Sequence, residues 1–179
     1  DEFDEEAVEV YLEGRAREEK APAGPSLACG CPSTHLQTFV DIAPLGQADK
    51  PAGEADDAST LSHWPVQIRL IPPTAPFLKG ADLLIAADCV PVAYPRFHRD
   101  FLKKKAVMVG CPKFDDVEEY IKRFEDLFRS AGVKSVTVLT MEVPCCSALP
   151  AIVKKGMEAA GTHVPLKEVV ISSRGKVLN

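Results

Sequence analysis

The chain has 179 residues, 46% of them hydrophobic and 26% charged, and its 21 Lys and Arg against 26 Asp and Glu leave a formal charge of -5. This is the balance of an ordinary globular protein and not of a nucleic-acid or anionic-membrane binder, which needs a basic face. No apolar run approaches the ~18 residues that a membrane-spanning helix requires. The unusual counts are 6 Cys and 15 Pro.

In chain order, residues 3–20 place Phe3, Ala7, Val8, Tyr11 and Leu12 at helical spacing ahead of a charged half, which predicts a short amphipathic helix. Residues 21–25, rich in Pro and Gly, break it, and Cys29-Gly30-Cys31-Pro32 follows on a loop. Residues 41–59 have no periodicity and read as a flexible linker. Residues 1–60 are thus expected to form an N-terminal helix, a Cys-x-Cys loop and a linker, and residues 61–179 a core domain. In that core, residues 66–71 alternate as a strand that Pro72-Pro73 ends. Residues 81–87 and 106–110 are short apolar runs of the kind buried on both faces of a sheet. Residues 135–141 are β-branched, and residues 169–172 make the fifth strand. Helices are expected over residues 94–102, 115–130 and 146–159, the second with Val117, Tyr120, Ile121, Phe124, Leu127 and Phe128 on one face. Strands alternating with helices predict right-handed βαβ units. The expected fold class is α/β, a Rossmann-like, mostly parallel sheet of about five strands with flanking helices, preceded by an N-terminal helix and a Cys-containing loop.

Three cysteines recur at one place in successive units. Cys89 follows the 81–88 run, Cys111 the 106–110 run and Cys145 the 135–143 run. In a parallel sheet these positions share the carboxyl edge, where α/β proteins bind ligands. Adjacent strands lie ~4.8 Å apart, so thiolates from neighbouring strand ends can converge, with helix N-termini behind them to stabilise negative charge. Proline stands within two residues of Cys31, Cys89, Cys111 and Cys145, fixing turns that aim the side chains. All-sulfur coordination selects zinc or an iron–sulfur cluster. The chain lacks the closely spaced Cys-x2–4-Cys knuckles of structural zinc, so a cluster held between βα loops is the expected cofactor, of the 4Fe–4S type with four thiolates. Cys89, Cys111 and Cys145 supply three; the fourth is expected from Cys31, with Cys29 and Cys146 as the other candidates. Against this stands the packing reading, since free Cys is among the most buried residue types, and Cys146 suits it best. Close cysteine pairs and a chain too large to need stapling argue for reduced thiols in the cytoplasm.

Among other polar residues, His98 on the helix after Cys89 could reach the same edge, and Asp88 could accept a hydrogen bond or orient a ligand. His63 lies at the opposite end of the strands. Asp115-Asp116 caps the following helix. Neither a Gly-rich dinucleotide fingerprint nor a Walker motif follows any strand.

The segments His63-Trp-Pro-Val-Gln-Ile-Arg-Leu-Ile-Pro-Pro73, Gly80-Ala-Asp-Leu-Leu-Ile-Ala-Ala-Asp-Cys89, Phe97-His-Arg-Asp-Phe101, Gly110-Cys-Pro-Lys113 and Met141-Glu-Val-Pro-Cys-Cys146 resemble a family of 4Fe–4S ferredoxin or iron–sulfur-binding proteins of anaerobic prokaryotes. The resemblance covers about residues 29–174. Members carry a two-cluster ferredoxin module ahead of this region, with Cys-x2-Cys-x2-Cys runs that are missing here, so Asp1 reads as an internal cut or as the start of a variant without that module. The resemblance implies electron transfer, with a ferredoxin module or another redox protein as partner. Two other readings use the same residues. One is a metalloenzyme acting on a small substrate at an open iron, with His98 or Asp88 as acid or base. The other is a metal-free dithiol redox domain in which Cys111, Cys145 and Cys146 cycle.

Overall fold

The computed structural model describes residues 35–39 and 59–178. The expected N-terminal helix, the Cys29–Cys31 loop and almost all of the expected linker lie outside these residues.

The core is a parallel sheet of four strands, β3 (Asp82–Ala87), β4 (Ala106–Gly110), β5 (Ser135–Met141) and β6 (Leu166–Ile171), in the order β4-β3-β5-β6. β3 sits between two partners, and Leu83, Leu84, Ile85 and Ala86 are all fully buried, which is why that stretch reads as an unbroken apolar run. Two short strands, β1 (Gln37–Thr38) and β2 (His63–Trp64), pair antiparallel beside it.

Helix α2 (Val117–Ala131) carries Tyr120, Phe124, Leu127 and Phe128 into the core. The Asp116 side chain caps it by accepting the Glu119 amide at 2.9 Å, and Gly132 ends it at φ 58°. Helix α3 (Leu149–Ala159) packs on α2, and Gly156 makes the approach possible: a Cβ there would stand 2.5 Å from the Cβ of Phe124. The β4→β5 and β5→β6 connections run the same way along the sheet, so right-handed crossovers put α2 and α3 on one face. The β3→β4 connection runs the other way and carries the four-residue helix α1 (Val90–Ala93). Strand order therefore reverses between β3 and β5, and the crevice beyond their carboxyl ends is the place where such sheets take ligands.

Two expected elements are corrected. Residues 66–71 are not a fifth strand. They touch β4 through one parallel bridge, Gln67 to Val109, and then turn, with the Leu70 and Ile71 amides both bonded to the Gln67 carbonyl. Ile68 and Ile71 are the fully buried pair, a spacing of three that suits a turn and not a strand. Residues 94–102 are not one helix either. Pro95 disfavours helical backbone at Tyr94, which is extended (φ -103°, ψ 103°), so α1 ends before it and a separate π-turn forms at His98–Leu102.

Both edges of the sheet are partly covered. On β4, Val109 exchanges backbone bonds with Val66 and Ile68, and the Val107 amide donates to His63 Nε2 at 2.9 Å. On β6 the chain returns, with the Leu178 amide on the Val170 carbonyl at 2.9 Å.

Candidate functional site at the carboxyl edge

The three expected edge cysteines stand on three contiguous strands, β4-β3-β5. Ala87 and Gly110 are paired in register, so Cys89 lies two residues and Cys111 one residue beyond a matched pair of strand ends. Cys145 is farther out, four residues past the end of β5 in a short 3-10 turn (Pro144–Cys146). Cys89 and Cys145 are exposed, Cys111 is half-buried, and all three are free thiols.

Each loop is fixed by its own bonds. Cys89 is the cap residue of α1, and the Ala93 amide donates to its carbonyl at 2.9 Å. The Cys111 carbonyl accepts the amides of Phe114 and Asp115, and its own amide donates to Asp115 Oδ2 at 3.4 Å. Asp115 also accepts the Tyr120 hydroxyl and pairs with Arg69 at 3.5 Å. Arg69 reaches Glu119 as well, and with Gln67 these residues line a shallow 360 Å³ hollow beside the Cys111 loop. Burial, followed by the facing Asp115 carboxylate, pushes the Tyr120 phenol well above the ordinary tyrosine range, so it is a proton donor to Asp115. Gly110 is required for this: a Cβ there would collide with the Tyr120 hydroxyl and stand 2.8 Å from Ile68 Cδ1. Asp116 alone is the helix cap; Asp115, expected to share that role, organises the Cys111 turn.

Cys146 is turned inward. It is 3% exposed, its sulfur accepts the Met141 amide at 3.2 Å and lies 3.6 Å from the Met141 carbonyl, and burial raises its thiol pKa. It is a packing residue. Cys29 and Cys31 lie outside the described residues. His98 is engaged elsewhere: its Nδ1 accepts the Thr60 amide at 3.1 Å and its carbonyl accepts the Thr60 hydroxyl at 2.9 Å. His63 is fully buried at the far end of β4, stacked on Phe77 at 3.9 Å. Among the described residues no three His, Cys, Asp or Glu side chains are grouped so as to hold a metal ion by themselves. Helix N-termini do not back all three thiols, since α1 has only four residues and α3 begins at Leu149, beyond Cys146.

Arg174 is the residue that sequence reasoning missed. With Asp88, Cys89, Val92, Ala93 and Ser173 it lines a 650 Å³ cleft at the carboxyl edge. It follows β6, so it reaches a site on β3 from two strands away. The loop is held by Glu142, whose carboxylate accepts both the amide and the hydroxyl of Ser173 at 2.7 Å, which lowers its pKa. Gly175, at φ 70°, lies so close to the Ala93 carbonyl that a Cβ would clash with it. The Ser-Ser-Arg-Gly turn after the last strand was the available signal. Asp88 faces the same cleft and accepts from Gln67 Nε2 at 3.5 Å.

The sequence profile of the Rossmann-like domain family matches residues 75–179. The chain belongs to that family. It is also similar to a protein of Archaeoglobus fulgidus described as an uncharacterized protein, with 38% identity over 117 residues that span 65% of this chain and 82% of the relative. Neither description names a ferredoxin. No solved structure matches. The Rossmann-like unit includes β3 to β6 and every described cysteine. Among the described residues no helix is long and apolar enough to cross a membrane.

Proposed function

We propose that this chain is a redox module that holds an iron–sulfur cluster of the 4Fe–4S type at the carboxyl edge of its sheet. The observation that carries the reading is the presence of three accessible free thiols, Cys89, Cys111 and Cys145, on the ends of three adjacent parallel strands. Soft thiolates at such loops fit a cluster in their chemistry. Among the described residues the three thiols are not grouped closely enough to hold a metal ion, so cluster binding requires their loops to draw together as well as a fourth thiolate. Cys31 is the donor of choice, with Cys29 as the other candidate. β1 runs antiparallel to β2, while the chain from His63 to Gln67 runs parallel to β4. Followed backwards from Thr38 to His35, the chain therefore heads toward the carboxyl edge, and Cys31 is four residues before His35.

When bound, the cluster would store and release one electron. The resemblance to ferredoxin-type iron–sulfur proteins supports a ferredoxin module or another redox protein as the exchange partner, and the free thiols suit the cytoplasm. The chain's own contribution is to hold the Cys111 turn through Asp115 and Tyr120, and to keep Cys146 out of the ligand set. That burial also removes Cys146 from the metal-free dithiol reading, which is left with Cys111 and Cys145 as its pair.

The test is anaerobic reconstitution with iron and sulfide, followed by iron analysis of single Cys→Ser variants. Changes at Cys89, Cys111 and Cys145 are each expected to lower bound iron severely, and changes at Cys31 and Cys29 to identify the fourth ligand. Full iron in all three edge variants would refute the assignment.

A further inference from the structure

We propose that the cleft between α1 and the loop after β6 binds a small amino acid, its carboxylate on Arg174 and its ammonium group on Asp88. The cleft offers opposite charges, with an aliphatic wall of Val92 and Ala93 and the Cys89 thiol among its lining groups. It is an open hollow of about 650 Å³ at the carboxyl edge of the sheet, lined from the end of β3 and the loop after β6. Arg174 enters no ion pair among the described residues. Glu142, the acid within its field, already accepts two bonds from Ser173. A guanidinium matches a carboxylate with two parallel bonds, which favours a planar carboxylate at this end of the cleft. The opposed Asp88 disfavours a simple anion and favours a ligand that carries a cation as well. The cleft wall is firm: Gly175 packs on the Ala93 carbonyl, and Ser173 is bonded twice to Glu142.

The inference does not depend on the metal reading, because Arg174 and Asp88 do the binding and Cys89 serves as reporter. The full chain, reduced and stripped of metal, is alkylated with iodoacetamide, and the rates at Cys89 and Cys145 are read separately by peptide mass spectrometry. Glycine, β-alanine and γ-aminobutyrate are added in turn, with propionate and ethylamine as single-charge controls. One member of the amino-acid series is expected to slow Cys89 several-fold in a saturable way, while Cys145 and both controls show little effect. Its length reports the separation of the two charges. Arg174→Gln and Asp88→Asn, both at exposed positions, are expected to abolish that protection, measured against each variant's own unprotected Cys89 rate. The site is overturned if no member of the series protects, if propionate alone protects equally, if Cys145 is protected to the same degree, or if protection survives Arg174→Gln. A metal-content result of either sign leaves these outcomes unchanged.

Discussion

Cys145 and Cys146 are neighbours in one 3-10 turn, yet the first residue is exposed and the second is 3% exposed with its sulfur bonded to the Met141 backbone. Their substitutions should separate accordingly. Cys146→Ala removes a buried acceptor and leaves a small void, so we expect a loss of about 1–2 kcal/mol in denaturant unfolding and unchanged iron after reconstitution. Cys145→Ser should do the reverse. Gly110 gives a second contrast. A methyl group there collides with the Tyr120 hydroxyl, so Gly110→Ala should cost about 1–3 kcal/mol and loosen the Cys111 turn, seen as faster alkylation of Cys111. The raised Tyr120 pKa carries a sign that can be checked. The unfolded phenol ionises near its ordinary value while the folded one stays neutral, so its stabilisation is complete below about pH 10 and is lost as pH rises above that. Tyr120→Phe should flatten this alkaline loss. The positions of Cys89 and Cys111 were legible in the sequence, because a cysteine directly after an apolar run is fixed by the strand itself. The roles of Asp115 and Arg174 were not, because both depend on long-range approach: Asp115 on Tyr120 over Gly110, and Arg174 on a loop two strands away.

At the scale of elements, β3 to β5 and α2 were readable because one force, burial, sets their pattern. The start of β6 was not: the strand was expected over residues 169–172 but begins at Leu166, because Lys167 and Glu168 are exposed and break that pattern. Residues 66–71 misled because Val66, Ile68 and Leu70 alternate, while full burial falls on Ile68 and Ile71, the spacing of a turn against β4. The covering of β4 also rests on His63, whose neutral ring donates from Nδ1 to the Pro65 carbonyl at 3.1 Å and accepts the Val107 amide on Nε2. A proton on Nε2 would break the second bond, and burial holds the folded pKa down at about 4 against 6.5 in the unfolded chain. The stabilisation is therefore present above pH 6.5 and is lost as pH falls toward 4, a contribution of about 3 kcal/mol. Urea unfolding across that window should show the step, and His63→Phe, which cannot accept from Val107, should be less stable at neutral pH and lack it.

For the whole molecule, a Rossmann-like unit leaves its carboxyl edge to whatever its loops carry, and here three adjacent loops carry thiols and a fourth carries Arg174. A ligand that binds only the folded chain stabilises it by mass action, so anaerobic reconstitution should raise the melting temperature, and a strong iron chelator should reverse the gain. The central claim is tested most directly on protein expressed and purified without oxygen, by assaying iron and acid-labile sulfide per chain alongside the visible spectrum. The expected result is about four of each with a broad visible absorption, as for a cluster with four thiolate ligands. A colourless protein with neither iron nor sulfide would contradict the account.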